Sequence, residues 1–86
     1  MTNVIVEHRW KPKEKDEVVK VVGGIVDMAK TGKLPEGFKL NSIQLVGSED
    51  MAICNWEAPS AEAMRGLLEK VNPPTKHKVY ESTKIF

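Results

Sequence analysis

The sequence is poor in the features that mark secreted, zinc-binding or membrane-spanning proteins. Its 86 residues include one cysteine, Cys54, so no disulfide can form within the chain and no two-cysteine zinc site is present. The N-terminal stretch MTNVIVEHRW reaches charged residues too early for the apolar core of a signal peptide. No apolar run approaches the roughly 18 residues of a membrane span. We therefore expect a soluble protein of the reducing cytoplasm, with no membrane partner.

A surplus of charge of one sign is also absent. Thirteen Lys and Arg oppose 12 Asp and Glu, which leaves a net charge of +1. Sequence-independent binding to nucleic acids requires a strongly basic surface. The segment MAICNWE, residues 51–57, also lacks the basic-glycine-aromatic signature of RNA-recognition modules. We expect no nucleic-acid partner.

The chain has no internal repeat, linker or low-complexity tract, so residues 1–86 are expected to form a single domain. A domain of this length buries only a little over about 60% of the surface that its unfolded chain exposes, so its core is small. Association of two copies would bury additional apolar surface. The length of the chain therefore favours a homodimer.

Apolar residues recur with the period of strands in some segments and with the period of helices in others. Strands are predicted at residues 3–10, 39–46, 51–57 and 76–86, and helices from about 13 to 30 and from 61 to 71. The resulting β-α-β-β-α-β order is that of a ferredoxin-like α+β fold, with the first and third strands as the central pair. Both helices would cover one face of the sheet. A second copy is expected to cover the other face, forming a dimeric α+β barrel.

Gly23 and Gly24 lie inside the apolar stripe of the first predicted helix. A glycine in a helix interior costs about 1 kcal/mol relative to alanine. We interpret the pair as allowing the helix to lie tightly on the sheet. A phosphate-binding loop would place such glycines before the helix rather than within it.

Two segments, VIVEHRW at residues 4–10 and ICNWEAPSAEAMRGLLEKV at residues 53–71, resemble a family of small uncharacterised ferredoxin-like proteins. One branch of that family is described as nickel-binding, and the family lies within the dimeric α+β barrel superfamily. The matching residues are Glu7, His8, Arg9, Trp10, Cys54, Trp56, Glu57, Ala58 and Pro59. The resemblance implies a homodimer with two sheets joined face to face, and a divalent metal such as nickel as a cofactor.

The order of His8 and Arg9 departs from that family, which usually places the arginine first. In a strand, exchanging two neighbours turns the imidazole to the opposite face of the sheet. His8 should therefore share a face with Val4, Val6 and Trp10, toward the helices.

A ligand pocket between the sheet and the helices is predicted from His8, Trp10, Cys54 and Trp56. Histidine has an ordinary pKa near ~6.5, so His8 could act there as a base, a hydrogen-bonding group or a metal ligand. The alternative is that His8 is a strand-end residue bonded to its surroundings, and that the tryptophans and Cys54 only fill the core.

The carboxylates Glu7 and Glu57 are predicted on the face opposite to the tryptophans, together with Arg9. On that dimer-facing side the three residues would form an ion-pair network that fixes the register of the subunits. If a metal binds, as the resemblance implies, the candidate ligands are His8, Glu7 and Glu57.

Two other functions remain open at this point. The first is a small monooxygenase-like or isomerase-like enzyme of the same superfamily, with a pocket lined by His8, Trp10 and Trp56. Haem-degrading members use an Asn, a Trp and a His together, for which Asn3, Trp56 and either His8 or His77 would be the candidates. The second is a structural or regulatory dimer that binds no ligand.

Overall fold

The computed structural model describes the whole chain, Met1–Phe86, as a four-stranded antiparallel sheet with two helices. The strands are β1 (Thr2–Arg9), β2 (Lys39–Val46), β3 (Met51–Ala58) and β4 (Lys76–Ser82), and the helices are α1 (Lys15–Lys30) and α2 (Ala61–Val71). The order across the sheet is β2-β3-β1-β4, which confirms the predicted ferredoxin-like layout with β1 and β3 in the centre. Neither helix is long and apolar enough to cross a membrane.

The two central strands form the core through their alternating side chains. Along β3, every second residue from Ala52 to Ala58 is buried, and the residues between them are half-buried. On β1, Val4 and Val6 are fully buried, and they lie opposite Trp56 and Cys54 respectively. This buried side faces the helices, so the period-two pattern correctly predicted which side chains form the core.

Helix α2 is closely packed on the sheet and has well-defined ends. The Ser60 hydroxyl accepts a hydrogen bond from the Ala63 amide at 3.0 Å, which caps the first turn. Asn72 ends the helix with a left-handed backbone, φ 47°. Met64 and Leu68 are buried against the valines of β1, and α2 also packs on β3 and β4.

Helix α1 packs more loosely and begins later than predicted. A 3-10 turn at Pro12–Glu14 precedes it, where the Glu14 carboxylate accepts a hydrogen bond from the Lys11 amide at 3.0 Å. Val18 is the single buried residue among the 16 of the helix. Gly23 and Gly24 are exposed, and a Cβ added at either would meet nothing within 4 Å. The prediction that these glycines allow close packing on the sheet was therefore wrong.

Strand β4 is shorter than the predicted segment 76–86. Ser82 pairs with Asn3, and β1 begins one residue earlier at Thr2. Beyond Ser82 only Thr2 and Met1 remain on the neighbouring chain segment, too few to extend the pairing to residue 86. Ile85 and Phe86 are fully exposed as a result.

Candidate functional site

His8 lies near the end of β1 on the helix-facing side of the sheet, as its position in the strand predicted. It is opposite Ala52 on β3 and opposite His77 on β4. The His8 Nδ1 atom is 3.0 Å from the Thr75 hydroxyl oxygen, in the loop that leads into β4. This hydrogen bond fixes the ring and leaves Nε2 as the nitrogen that can meet a ligand.

The surroundings of His8 favour its neutral form. Burial lowers the pKa of His8 from 6.5 to about 4, and the nearby His77 adds to this effect because two imidazolium charges repel each other. The two ring centroids are 6.2 Å apart. At neutral pH the His8 ring therefore offers one donor and one acceptor and carries no charge.

A small cavity lies beneath α1 at this end of the sheet. His8, Trp10 and Cys54 line it together with apolar residues of α1, including Val18 and Val22. Its volume is about 20 Å³, enough for a single water molecule. The indole Nε1 of Trp10 is buried and has no hydrogen-bond partner. A buried donor without a partner is uncommon, which makes this cavity the first place to look for a bound group.

Trp56, the fourth predicted pocket residue, is not part of this cavity. It lies opposite Val4, whereas Trp10 follows the other end of β1 and its amide donates to the Asp50 carbonyl at 3.2 Å. Six residues of strand separate Val4 from Trp10, or about 20 Å. The two tryptophans are far apart because β3 runs antiparallel to β1. Trp56 packs in the hydrophobic core beneath α2, with Met64 and Leu68, so placing it in one pocket with Trp10 was wrong.

Cys54 does line the cavity, but its chemistry is that of a core residue. Burial raises the pKa of the Cys54 thiol to about 11. The thiol stays protonated at neutral pH, and a protonated thiol is a poor nucleophile and a poor metal ligand.

The three residues predicted as metal ligands are not brought together within the chain. Glu7 and His8 are neighbours on β1 and point to opposite faces. Glu57 shares a face with Glu7 but lies opposite Asn3, four residues or about 14 Å along the strand. No cluster of three His, Cys, Asp or Glu side chains that could hold a metal ion is formed anywhere in the chain. The predicted ligand set does not fit a single metal ion.

The polar residues predicted on the open face form two separate ion pairs rather than one network. Arg9 Nε is 2.9 Å from Glu7 Oε1 near one end of the sheet. Lys39 Nζ is 3.9 Å from Glu57 Oε2 near the other end. These residues lie on the side away from the helices, where Ile5 and other half-buried apolar residues occupy the middle.

The arrangement proposed by analogy with haem-degrading proteins is not formed either. Asn3 is on the open face of the sheet because it lies opposite Glu57, whereas His8 and Trp56 face the helices. His77 is an exposed residue of the edge strand and is separated from Asn3 along β4.

Two residues were not identified from the sequence as neighbours of His8. The ring of His77 lies 6.2 Å from that of His8, between ring centroids, and His77 contributes to the lowered pKa of His8. Thr75, which orients the imidazole, attracted no attention. Antiparallel pairing of β1 with β4 brings the start of β4 to the end of β1, but the register that places His77 opposite His8 comes from the structure.

Comparisons of the chain with protein-family models, with curated proteins and with solved structures found no match. The resemblance drawn from VIVEHRW and from residues 53–71 therefore stays a prediction.

Proposed function

We propose that the protein is a homodimer that binds a small organic ligand beneath the N-terminal half of α1, with His8 and Trp10 as its polar contacts. The observation that carries this proposal is the pairing of a neutral, half-buried imidazole with an indole N–H that has no partner, at one apolar cavity. A largely apolar pocket with a few polar groups and a perturbed pKa is the usual form of a small-molecule site.

The polar groups define the chemistry of the ligand. Leaving a buried N–H unpaired costs about 1–3 kcal/mol, and an acceptor oxygen on a ligand would recover that cost at Trp10 Nε1. His8 Nε2 can meet a second polar atom of the same molecule. A phenol or a carboxylic acid on a flat apolar body meets both requirements.

Binding is favoured over covalent catalysis by the same residues. The thiol of Cys54 is protonated, and the cavity lining contains no carboxylate. Nucleophilic catalysis needs an activated nucleophile beside a base, and no such pair is present at this cavity.

A ligand of this size requires the cavity to open, because about 20 Å³ holds only one water. Movement of α1 is the most accessible route. The helix has Val18 as its single buried residue, whereas α2 has three, so α1 should open locally at a lower cost than α2. Ligand binding would then shift the protein toward its open form.

The thermal stability of the protein with aromatic acids and phenols tests this proposal. We expect a ligand that raises the unfolding temperature of the native chain and of His77→Ala, but not of His8→Leu. His77→Ala is the matched control because it removes the neighbouring imidazole outside the cavity. A ligand that stabilises His8→Leu equally would remove His8 from the site, and native mass spectrometry of the purified protein would identify any copurified molecule.

The homodimer is supported by the open face of the sheet. Half-buried Ile5 and Ile53 lie in its middle, and the Glu7–Arg9 ion pair lies near one end. A second copy would cover these isoleucines. Light scattering should show a dimer that Ile53→Lys converts to a monomer. Val19→Lys, at an exposed apolar position on α1, is the control and should remain dimeric. A native chain that is monomeric at micromolar concentration would contradict the proposed homodimer.

A divalent metal is the second candidate, with ligands that differ from the predicted set. His8 and His77 face each other on adjacent strands, and His8 is already neutral, as a metal ligand must be. Calorimetric titration with nickel separates the two candidates. Uptake abolished by both His8→Leu and His77→Ala supports the metal, whereas the organic ligand depends on His8 alone.

A further inference from the structure

A wide groove lies outside the cavity, on the other side of Trp10. Its volume is about 570 Å³, within the range of about 300–1,000 Å³ that is typical of small-molecule sites. Trp10, Pro73, Pro74 and Thr75 line both the groove and the cavity. These residues are therefore a shared wall, and displacement of the indole would join the two spaces.

The groove concentrates positive charge in a chain that is otherwise balanced. Of the 13 basic residues, four line it, namely Arg9, Lys11, Lys13 and Lys76. Only one of the 12 acidic residues does, which leaves nine basic against eleven acidic residues elsewhere. Such a local excess of positive charge attracts a small anion. The rest of the surface carries no excess of positive charge that could bind a long polyanion.

The lysines of the groove are available to a ligand. Arg9 is paired with Glu7, and the Glu14 carboxylate accepts a hydrogen bond from the Lys11 backbone amide. None of the ammonium groups of Lys11, Lys13 and Lys76 forms an ion pair within the chain. An anion in the groove would thus meet three positive charges without displacing an existing partner.

We propose that the ligand is an anion with a flat apolar body, whose carboxylate or equivalent group is bound by Lys11, Lys13 and Lys76 while its body lies along Trp10 toward the cavity. This inference rests on the proposed function and specifies its ligand class. The groove is lined by the broad indole ring and two prolines, which suit a planar apolar surface. The ammonium groups supply affinity for charge, and a second polar atom at the inner end of the body, such as a phenolic oxygen, would meet the unpartnered Trp10 N–H and His8.

A matched pair of probes tests the role of charge. The probes 6-hydroxynaphthalene-2-carboxylate and 6-hydroxynaphthalene-2-carboxamide have nearly the same shape, carry a hydroxyl at the inner end and differ in charge, and calorimetric titration of the native protein compares them. We expect the carboxylate to bind at least tenfold more tightly at low salt. Raising the ionic strength should weaken the binding of the carboxylate and leave that of the carboxamide unchanged.

Surface variants then locate the charge that is responsible. The double variant Lys11→Gln and Lys76→Gln should abolish the tenfold preference and leave the carboxamide affinity unchanged. Lys30→Gln with Lys33→Gln is the control, because it removes the same net charge outside the groove and should keep the preference. All four lysines are exposed, so these variants are expected to fold normally.

The outcomes distinguish this inference from the function on which it rests. Equal affinity for the two probes, or an equal loss in the two double variants, would overturn the anionic ligand and leave the binding site beneath α1 standing. Binding of neither probe, together with no stabilisation by any aromatic acid or phenol, would overturn both.

Discussion

The two helices cover the same face of the sheet but differ in how they pack on it. Helix α2 buries Ala61, Met64 and Leu68 among its 11 residues, and Ser60 caps it. Helix α1 is longer, yet it buries only Val18. The cavity with His8 lies under α1, the less tightly packed of the two. The candidate site thus lies under the helix with fewer buried residues, whose local opening should cost less than that of α2.

Truncation of matched residues on the two helices should produce the largest contrast. Leu68→Ala on α2 should lower the free energy of unfolding by about 2–5 kcal/mol, since Leu68 is buried. Ile25→Ala on α1 removes the same number of carbon atoms from a half-buried position and should cost about 1–2 kcal/mol. Urea unfolding followed by circular dichroism measures both. Equal losses would show that the helices contribute alike and would remove the contrast.

Acid should lower the free energy of unfolding of the protein through protonation of His8, which lies under α1. The folded state holds the pKa of His8 at about 4, below the 6.5 of the unfolded chain, so the unfolded state binds more protons between these values. The stabilisation is complete above pH 6.5 and is lost as the pH falls through about 4. The difference in pKa corresponds to about 3 kcal/mol, and because the ring is partly exposed we expect about half of that.

Unfolding by urea at pH 7, 6, 5 and 4 measures this loss. The variant His8→Gln supplies the control, because it cannot titrate and should lose less stability over the same interval. If the stability of the native chain falls no more steeply than that of His8→Gln, the pKa of His8 is not lowered by folding, and the imidazole takes up its proton in the folded protein as readily as in the unfolded chain.

The smallest effect is expected at the glycines of α1. Gly24→Ala should raise the free energy of unfolding by about 0.5–1 kcal/mol, because the added methyl meets no atom and favours the helix. Gly37→Ala is the contrasting variant. Its backbone has φ 88° and the new Cβ would lie 3.0 Å from a Pro59 side-chain carbon, so it should destabilise the protein. If Gly24→Ala is destabilising instead, α1 is held more tightly than its exposed glycines indicate.

Most of the fold could be predicted because it depends on local patterns. Alternation identified the helix-facing residues of β1, and the period of the apolar residues gave the range of α2. The errors concern position along a strand. Period two assigns a face to Trp10 and Trp56 but does not show that antiparallel pairing puts them at opposite ends.

The candidate site was partly predictable for the same reason. His8 and Cys54 follow from the face that they share, whereas the partner of His8 in the loop before β4 depends on tertiary contacts. The unpaired indole of Trp10 depends on how the strand ends beside Asp50. Neither feature has a signature in a local stretch of sequence.

The hydrogen bond between Thr75 and His8 has a mechanical consequence. Pro73 and Pro74 directly precede Thr75, and their fixed φ angles restrict the backbone of this short segment. Its proline end touches the outer groove, and its hydroxyl end holds the imidazole. A ligand that displaced this segment from the groove side would therefore also displace the hydrogen-bonding partner of His8 on the inner side.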